Sequence, residues 1–336
     1  MKVKSLLVAG TVATTLGVSA FLLPASVFGT TIDSGNIATY ADGDNYKLTA
    51  GDYELNSDLA LGTGSLSIEG AVTINYNGHK ITASGVTVPA GASLTLSGNG
   101  GINCAITSSG TLTINGGVYD TSESYGGPLN INGGTINVKG GSFIAGGASA
   151  AYFMGDVTAT ITDGTFTSSG DNGIEAEGNI NMTISGGTFT GGKTGISLSN
   201  NASLKLSGGT FTYTNTTEGH GAIAIFSGEE SAFNGFLASG YKYDKDTVST
   251  KDWYGMQIVR LEGPTVKVQS TTATTPDNTN TNTNTPTTDN KKKVMEEMSK
   301  GMEKVIASST SKKEGAKKVT TTAKKAVKAP NTGVAR

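Results

Sequence analysis

The sequence predicts an all-β protein: a parallel β-helix, a solenoid of about 22–24 residues per coil, ending in a Lys-rich C-terminal tail that is disordered or partly helical. Three observations predict it. Short runs of alternating apolar and polar residues are punctuated by glycine and asparagine, as in LTINGG at 112–117, LNINGG at 129–134, INMTISGG at 180–187 and LKLSGG at 204–209. That is the pattern of short strands and tight turns. The runs also repeat, because the second glycine of each pair stands at Gly117, Gly141, Gly164, Gly187 and Gly209, at intervals of 24, 23, 23 and 22 residues. Each of these glycines is followed two residues later by an aromatic residue, giving Tyr119, Phe143, Phe166, Phe189 and Phe211.

One such coil has too few apolar side chains to bury a core alone, but coils stacked about 4.8 Å apart give every backbone group a partner above and below. Leu112, Ile114, Met182, Ile184, Leu204 and Leu206 are then expected to point inward, and the phenylalanines to form a stack. A leucine-rich repeat has a similar period. Its helix-forming half and its fixed leucine and asparagine spacing are missing here.

The first 29 residues place Lys2 and Lys4 ahead of an uncharged run from Ser5 to Phe28, with Pro24 and small residues before Gly29. This is the pattern of an export signal peptide over 1–29, cleaved or kept as an anchor. The β-helix domain is expected over 30–269, closed by a terminal cap. Residues 270–290, STTATTPDNTNTNTNTPTTDN, contain no large apolar residue and predict a flexible linker. In the basic tail, 291–336, Val294, Met298, Met302 and Val305 recur at helical spacing. They allow either a short amphipathic helix over about 291–307 or a solvated segment.

The net charge of -2 hides an asymmetry: residues 1–290 carry -11 and residues 291–336 carry +9. An acidic body is repelled by nucleic acid, which removes that partner for the β-helix domain. The tail is drawn instead to anionic polymers such as those of a cell wall. A single cysteine, Cys104, rules out an internal disulfide, and two arginines and two histidines leave little for phosphate, nucleotide or acyl chemistry.

The stretch VTINYNGHKIT at 72–82, after YKLTAGDYELNSDLAL at 46–61, resembles the opening of the right-handed β-helix modules of secreted bacterial surface proteins, which are related in fold to pectate lyases. The GGTF repeats are similar to their coils, and FLASGYKY at 236–243 resembles the hairpin that ends them. The resemblance spans roughly residues 40–268 and implies a right-handed helix on a secreted or wall-associated protein. It specifies architecture rather than ligand. Ala329, Pro330, Asn331, Thr332 and Gly333 resemble the LPxTG signal that sortases cut between Thr and Gly, which implies a sortase as partner and attachment through Thr332. Such signals continue into an apolar span, whereas Val334, Ala335 and Arg336 follow here. Either a longer native chain is joined covalently or the basic tail holds by charge.

Chemistry concentrates in GDNGIEAEG at 170–178. With Ile174 and Ala176 inward, Glu175 and Glu177 face outward together, about 6.5–7 Å apart, with Asp171 near the preceding corner. Such a pair suits a cation, calcium being the candidate, or paired acid and base on a glycoside. No other cofactor is implied. Alignment of the coils through Gly173, Gly195 and Gly221 puts Asn172, Thr194 and His220 in one column and Asp171 beside Lys193, a neighbour that a structural ion pair also explains. His220, in EGHGAI, resembles the Gly-His-Gly element of polygalacturonases, but the three aspartates of that family are absent. Lys193 is the basic candidate for lyase chemistry beside Asp171, Glu175 and Glu177. Trp253, Tyr254, Tyr241 and Tyr243 lie outside the coil periodicity and predict either sugar-stacking faces or a cap over the open end of the solenoid.

These observations point first to adhesion or glycan recognition without catalysis, with a glycan or a host or neighbouring cell surface as partner. A polysaccharide lyase or glycoside hydrolase is the alternative. A third reading comes from Thr165 and Thr167, Thr188 and Thr190, and Thr210 and Thr212, whose repeated pairs have the geometry of ice-binding solenoids.

Overall fold

The computed structural model describes residues 29–199, 201–217, 219–226 and 229–272. The expected signal segment up to residue 28, the linker beyond 272, and the tail with its amphipathic segment and APNTG motif lie outside the described residues. The chain is a β-solenoid of about eight turns. Each full coil lays down three short parallel walls, and every wall strand pairs with its counterpart in the next coil.

On the first wall the strands Val118–Thr121, Ser142–Ala145, Thr165–Ser168, Thr188–Gly191 and Thr210–Tyr213 stack in register through Tyr119, Phe143, Phe166, Phe189 and Phe211. Successive rings are 4.5–5.2 Å apart and within 16° of parallel. The spacing between strands and the favoured spacing of offset aromatic rings nearly coincide, so each added coil continues the stack without strain. At the head of the column Tyr76 meets Tyr119 edge-on, and its hydroxyl lies 3.2 Å from that of Tyr119, which donates to the Gly116 carbonyl at 2.8 Å. The glycine before each ring is required. Gly187 has φ +98°, and a Cβ there would lie 2.9 Å from the Gly164 carbonyl oxygen and 3.2 Å from the Phe189 ring.

The second and third walls share long strands, of which Ala151–Ile161 and Asn172–Ile184 pair along their length and turn the corner at Gly155 and Gly178, both at positive φ. Inside the second wall lie Leu129, Ala151, Ile174, Ile196 and Ile223 in one column; inside the third lie Leu112, Ile136, Ala159, Met182 and Leu204. The inward side chains expected from alternation are therefore the observed core. Cys104 is buried between early coils, and burial pushes its thiol up to about 11.

Both ends are closed by non-repeating structure. At the N-terminal end Tyr40, on the 3-10 turn Ile37–Tyr40, packs edge-on against Tyr53. At the C-terminal end the strands Tyr241–Tyr243, Val248–Trp253, Met256–Leu261 and Thr265–Ser270 run antiparallel, with Thr265–Ser270 on Thr210–Tyr213 and Met256–Leu261 on Gly221–Phe226. Such strands occupy backbone groups that a bare last coil would offer to another chain. Phe233 and Phe236 of the helix Ala232–Phe236 are buried in this cap, where Tyr243 donates its hydroxyl to the Phe233 carbonyl at 2.9 Å. The threonine pairs on the first wall are in register, and the last, Thr212, is hydrogen-bonded to Thr265 of the cap at 3.2 Å. Among the described residues no helix is long and apolar enough to cross a membrane.

Candidate functional site

The outer surface of the second wall, the turns that lead into it and the cap strands line a two-lobed cleft. Outward residues of the second wall form the column Asn130, Tyr152, Glu175, Ser197 and Ala224. Ala224 is level with Arg260 of the cap strand; the column runs from the half-buried Asn130, Tyr152 and Glu175 to the buried Ser197 and Ala224.

The smaller lobe, about 290 Å³, is lined by Asp171, Glu175, Glu177, Lys193 and His220, the five polar candidates of the sequence. Asn172, Leu198, Phe226 and Met256 complete much of its surface. The larger lobe, about 470 Å³, adds Ser169, Asn215, Thr217, Lys251, Asp252 and Tyr254. Lys193 and His220 line both.

One register differs from expectation. Asn172 pairs with Thr194, and Thr194 pairs with Gly221, so Gly195 falls level with Ala222 and not with Gly221. The turn before this strand is long, closed by Gly219 N–H to the Asn215 carbonyl at 2.7 Å, and glycine counting across it slips by one residue. His220 therefore continues the column of Asp171 and Lys193: Lys193 N–H donates to the Asp171 carbonyl at 3.0 Å and His220 N–H to the Lys193 carbonyl at 2.8 Å. Lys193 Nζ lies 3.1 Å from Asp171 Oδ1.

Each acidic group has its own neighbours. Glu175 Oε2 accepts from Ser149 Oγ at 2.7 Å. Burial raises the Glu175 carboxyl above its ordinary range, and the Ser149 hydrogen bond offsets part of that rise. Glu177 Oε2 accepts from the Tyr152 hydroxyl at 2.6 Å, which with burial pushes the phenol up to about 12. His220 is 4% exposed and packs edge-on against Phe226 at 5.5 Å. Burial, reinforced by the charges of Lys251, Lys193 and Arg260, lowers its imidazole to about 4, so the ring is neutral at physiological pH.

Asn172 sits 5% exposed beneath the lobe. Its Nδ2 donates to Asp171 Oδ1 at 3.2 Å and to Ser149 Oγ at 3.4 Å, while its Oδ1 has no partner. The reverse amide orientation would set an oxygen against the Asp171 carboxylate, so this one is fixed by its surroundings. Thr194 Oγ1, one coil along, is also buried without a partner. Among the described residues no three His, Cys, Asp or Glu side chains gather closely enough to hold a metal ion.

The four aromatic candidates do not gather into one face. Tyr254 is 95% exposed, has φ +52°, and lines the larger lobe. Tyr243 is buried in the cap and Tyr241 pairs across from Ser270, outside both lobes. The Trp253 side chain lies outside what the structure describes. Sequence reasoning missed Ser149, Tyr152, Phe226 and Met256. Tyr152 was within reach of it, since one coil of 23 residues before Glu175 falls on that position. No protein-family model, curated protein or solved structure matches the chain.

Proposed function

We propose that the chain is a glycan-recognition protein and that the two-lobed cleft beside the cap holds an oligosaccharide. The observation that carries this is the convergence of Asp171, Glu175, Glu177, Lys193 and His220 on one recess that also has an apolar side formed by Phe226 and Met256. A sugar ring presents an apolar C–H face and a rim of hydroxyls, and a recess with a few placed polar groups beside an apolar surface matches both. The lobes together have the size of an ordinary small-ligand site. The export-like start and basic tail support display at a cell surface, with the tail held by an anionic wall polymer.

The test is a glycan array probed with the full 336-residue chain. Binding that is lost in Lys193→Ala together with Glu177→Ala, with the circular dichroism spectrum unchanged, is the expected result. Binding that survives both substitutions removes the cleft as its site.

A second reading, cleavage of the bound polysaccharide, is favoured by one observation: the raised Glu175 carboxyl beside Glu177. Glycoside hydrolysis needs one carboxyl that keeps its proton next to another that does not. Release of reducing ends from any glycan that binds, abolished by Glu175→Gln, distinguishes this reading from recognition alone. Unsaturated products absorbing in the near ultraviolet would indicate a lyase instead.

A further inference from the structure

We propose that the smaller lobe selects amino sugars with a free ammonium group over their N-acetylated forms. This rests on the glycan reading above and narrows it to a ligand class.

The lobe has more acceptors than donors. Lys193, its one basic side chain, is already engaged with Asp171. Glu175 accepts from Ser149 and is also within reach of the Asn172 amide, Glu177 accepts from Tyr152, and an ionised carboxylate has capacity for about four hydrogen bonds. Neither is ion-paired within the lobe. Asn172, which lines the lobe, has a buried Oδ1 that lacks a partner. Buried polar groups without partners are rare in folded proteins and call for an explanation. A ligand rich in N–H and O–H supplies what this lobe lacks.

Charge gives the preference between amino and acetamido sugars. The ammonium offers three donors and a positive charge to Glu175 and Glu177, whereas acetylation removes the charge and sets a carbonyl acceptor among acceptors. The number of acceptors points to a sugar rather than a lysine side chain. Glu175, Glu177 and Asn172 all line the one recess, and a lysine carries donors only at its tip. The apolar side at Phe226 and Met256 then receives the C–H face of a ring.

The experiment uses the full chain in calorimetric titrations near pH 6 with three probes: a β-1,4-linked glucosamine hexamer, the corresponding N-acetylglucosamine hexamer, and hexalysine. The glucosamine hexamer is expected to bind at least tenfold more tightly than either of the others. Glu175→Gln and the more exposed Glu177→Gln are each expected to reduce the preference over the N-acetylated hexamer at least threefold, with unfolding midpoints confirming that both fold. Equal or tighter binding of the N-acetylated hexamer overturns the ammonium selection and leaves glycan recognition standing. Hexalysine binding as tightly as glucosamine overturns the sugar class. Binding of neither hexamer, with other glycans captured on the array, overturns this proposal alone; silence of both hexamers and the array overturns the proposal and the glycan reading together.

Discussion

Two columns of side chains run through neighbouring coils of this solenoid, and only one of them repeats. Inside the first wall the residues are Tyr119, Phe143, Phe166, Phe189 and Phe211; outside the second they are Asn130, Tyr152, Glu175, Ser197 and Ala224. Both columns obey the same backbone register. The first is held to one chemistry because each ring is the packing surface of the next, and a smaller residue would open a cavity between two coils. The second touches solvent or cap, so each position is free to differ. In a repeat protein, a departure from the repeat on an outward column therefore indicates a local task, and here the departures lead to the cleft.

The largest effect expected from this comparison is at Phe189, flanked by rings on both sides. Phe189→Ala should destabilise the chain by about 3–5 kcal/mol, as large-to-small core changes do, measured by denaturant unfolding followed by circular dichroism. A loss below about 1 kcal/mol would remove the aromatic column as a source of stability. Next is Gly187→Ala, which places a side chain at positive φ against the Gly164 carbonyl and the Phe189 ring; a cost of about 1–3 kcal/mol is expected. An unchanged midpoint would show that the coil gives way at its corner.

On the variable column's side the effects are smaller and depend on pH. The folded protein holds His220 near 4, below the ordinary histidine value near 6.5. Between those values the unfolded chain takes up a proton that the folded chain refuses, so stability present above pH 6.5 falls as the pH drops toward 4. The loss should be up to about 3 kcal/mol, and His220→Gln should remove that slope from a pH series of denaturation midpoints. A slope identical in His220→Gln would assign it to other groups. Glu175 has the opposite sign. Its carboxyl is raised in the folded state, so stability is greater below the ordinary carboxylate value and is lost as the pH rises through the raised one. Glu175→Gln should cancel that loss, changing neutral-pH stability by less than about 1 kcal/mol toward the more stable side. Destabilisation of several kcal/mol would make Glu175 a structural group and weaken its place in the cleft.

How much of this was legible in the sequence follows the same division. The inward columns could be written down from glycine spacing alone, because packing forces Phe143, Phe166 and Phe189 to recur. Glu175 and Glu177 were placed on one outward face by strand alternation, and Asp171 beside Lys193 by coil length. The register of His220 was not legible, because the long turn closed by Asn215 and Gly219 breaks the count. Phe226, level with Ser199 on the second wall, lies beyond the same long turn and was lost with that count. Met256 was invisible for a different reason: it lies on an antiparallel strand of the cap, where no period carries information from one strand to the next.

Cys104 gives the molecule a built-in clock. The thiol is buried with its proton held well above neutral pH, and no other cysteine competes with it. Stacked repeats open locally and cooperatively, at free energies that differ along the array. A thiol reagent will therefore label the folded chain at the rate at which the coils around Cys104 open. Comparing that rate with and without sugar in the distant cleft would measure how far one end of a solenoid senses events at the other.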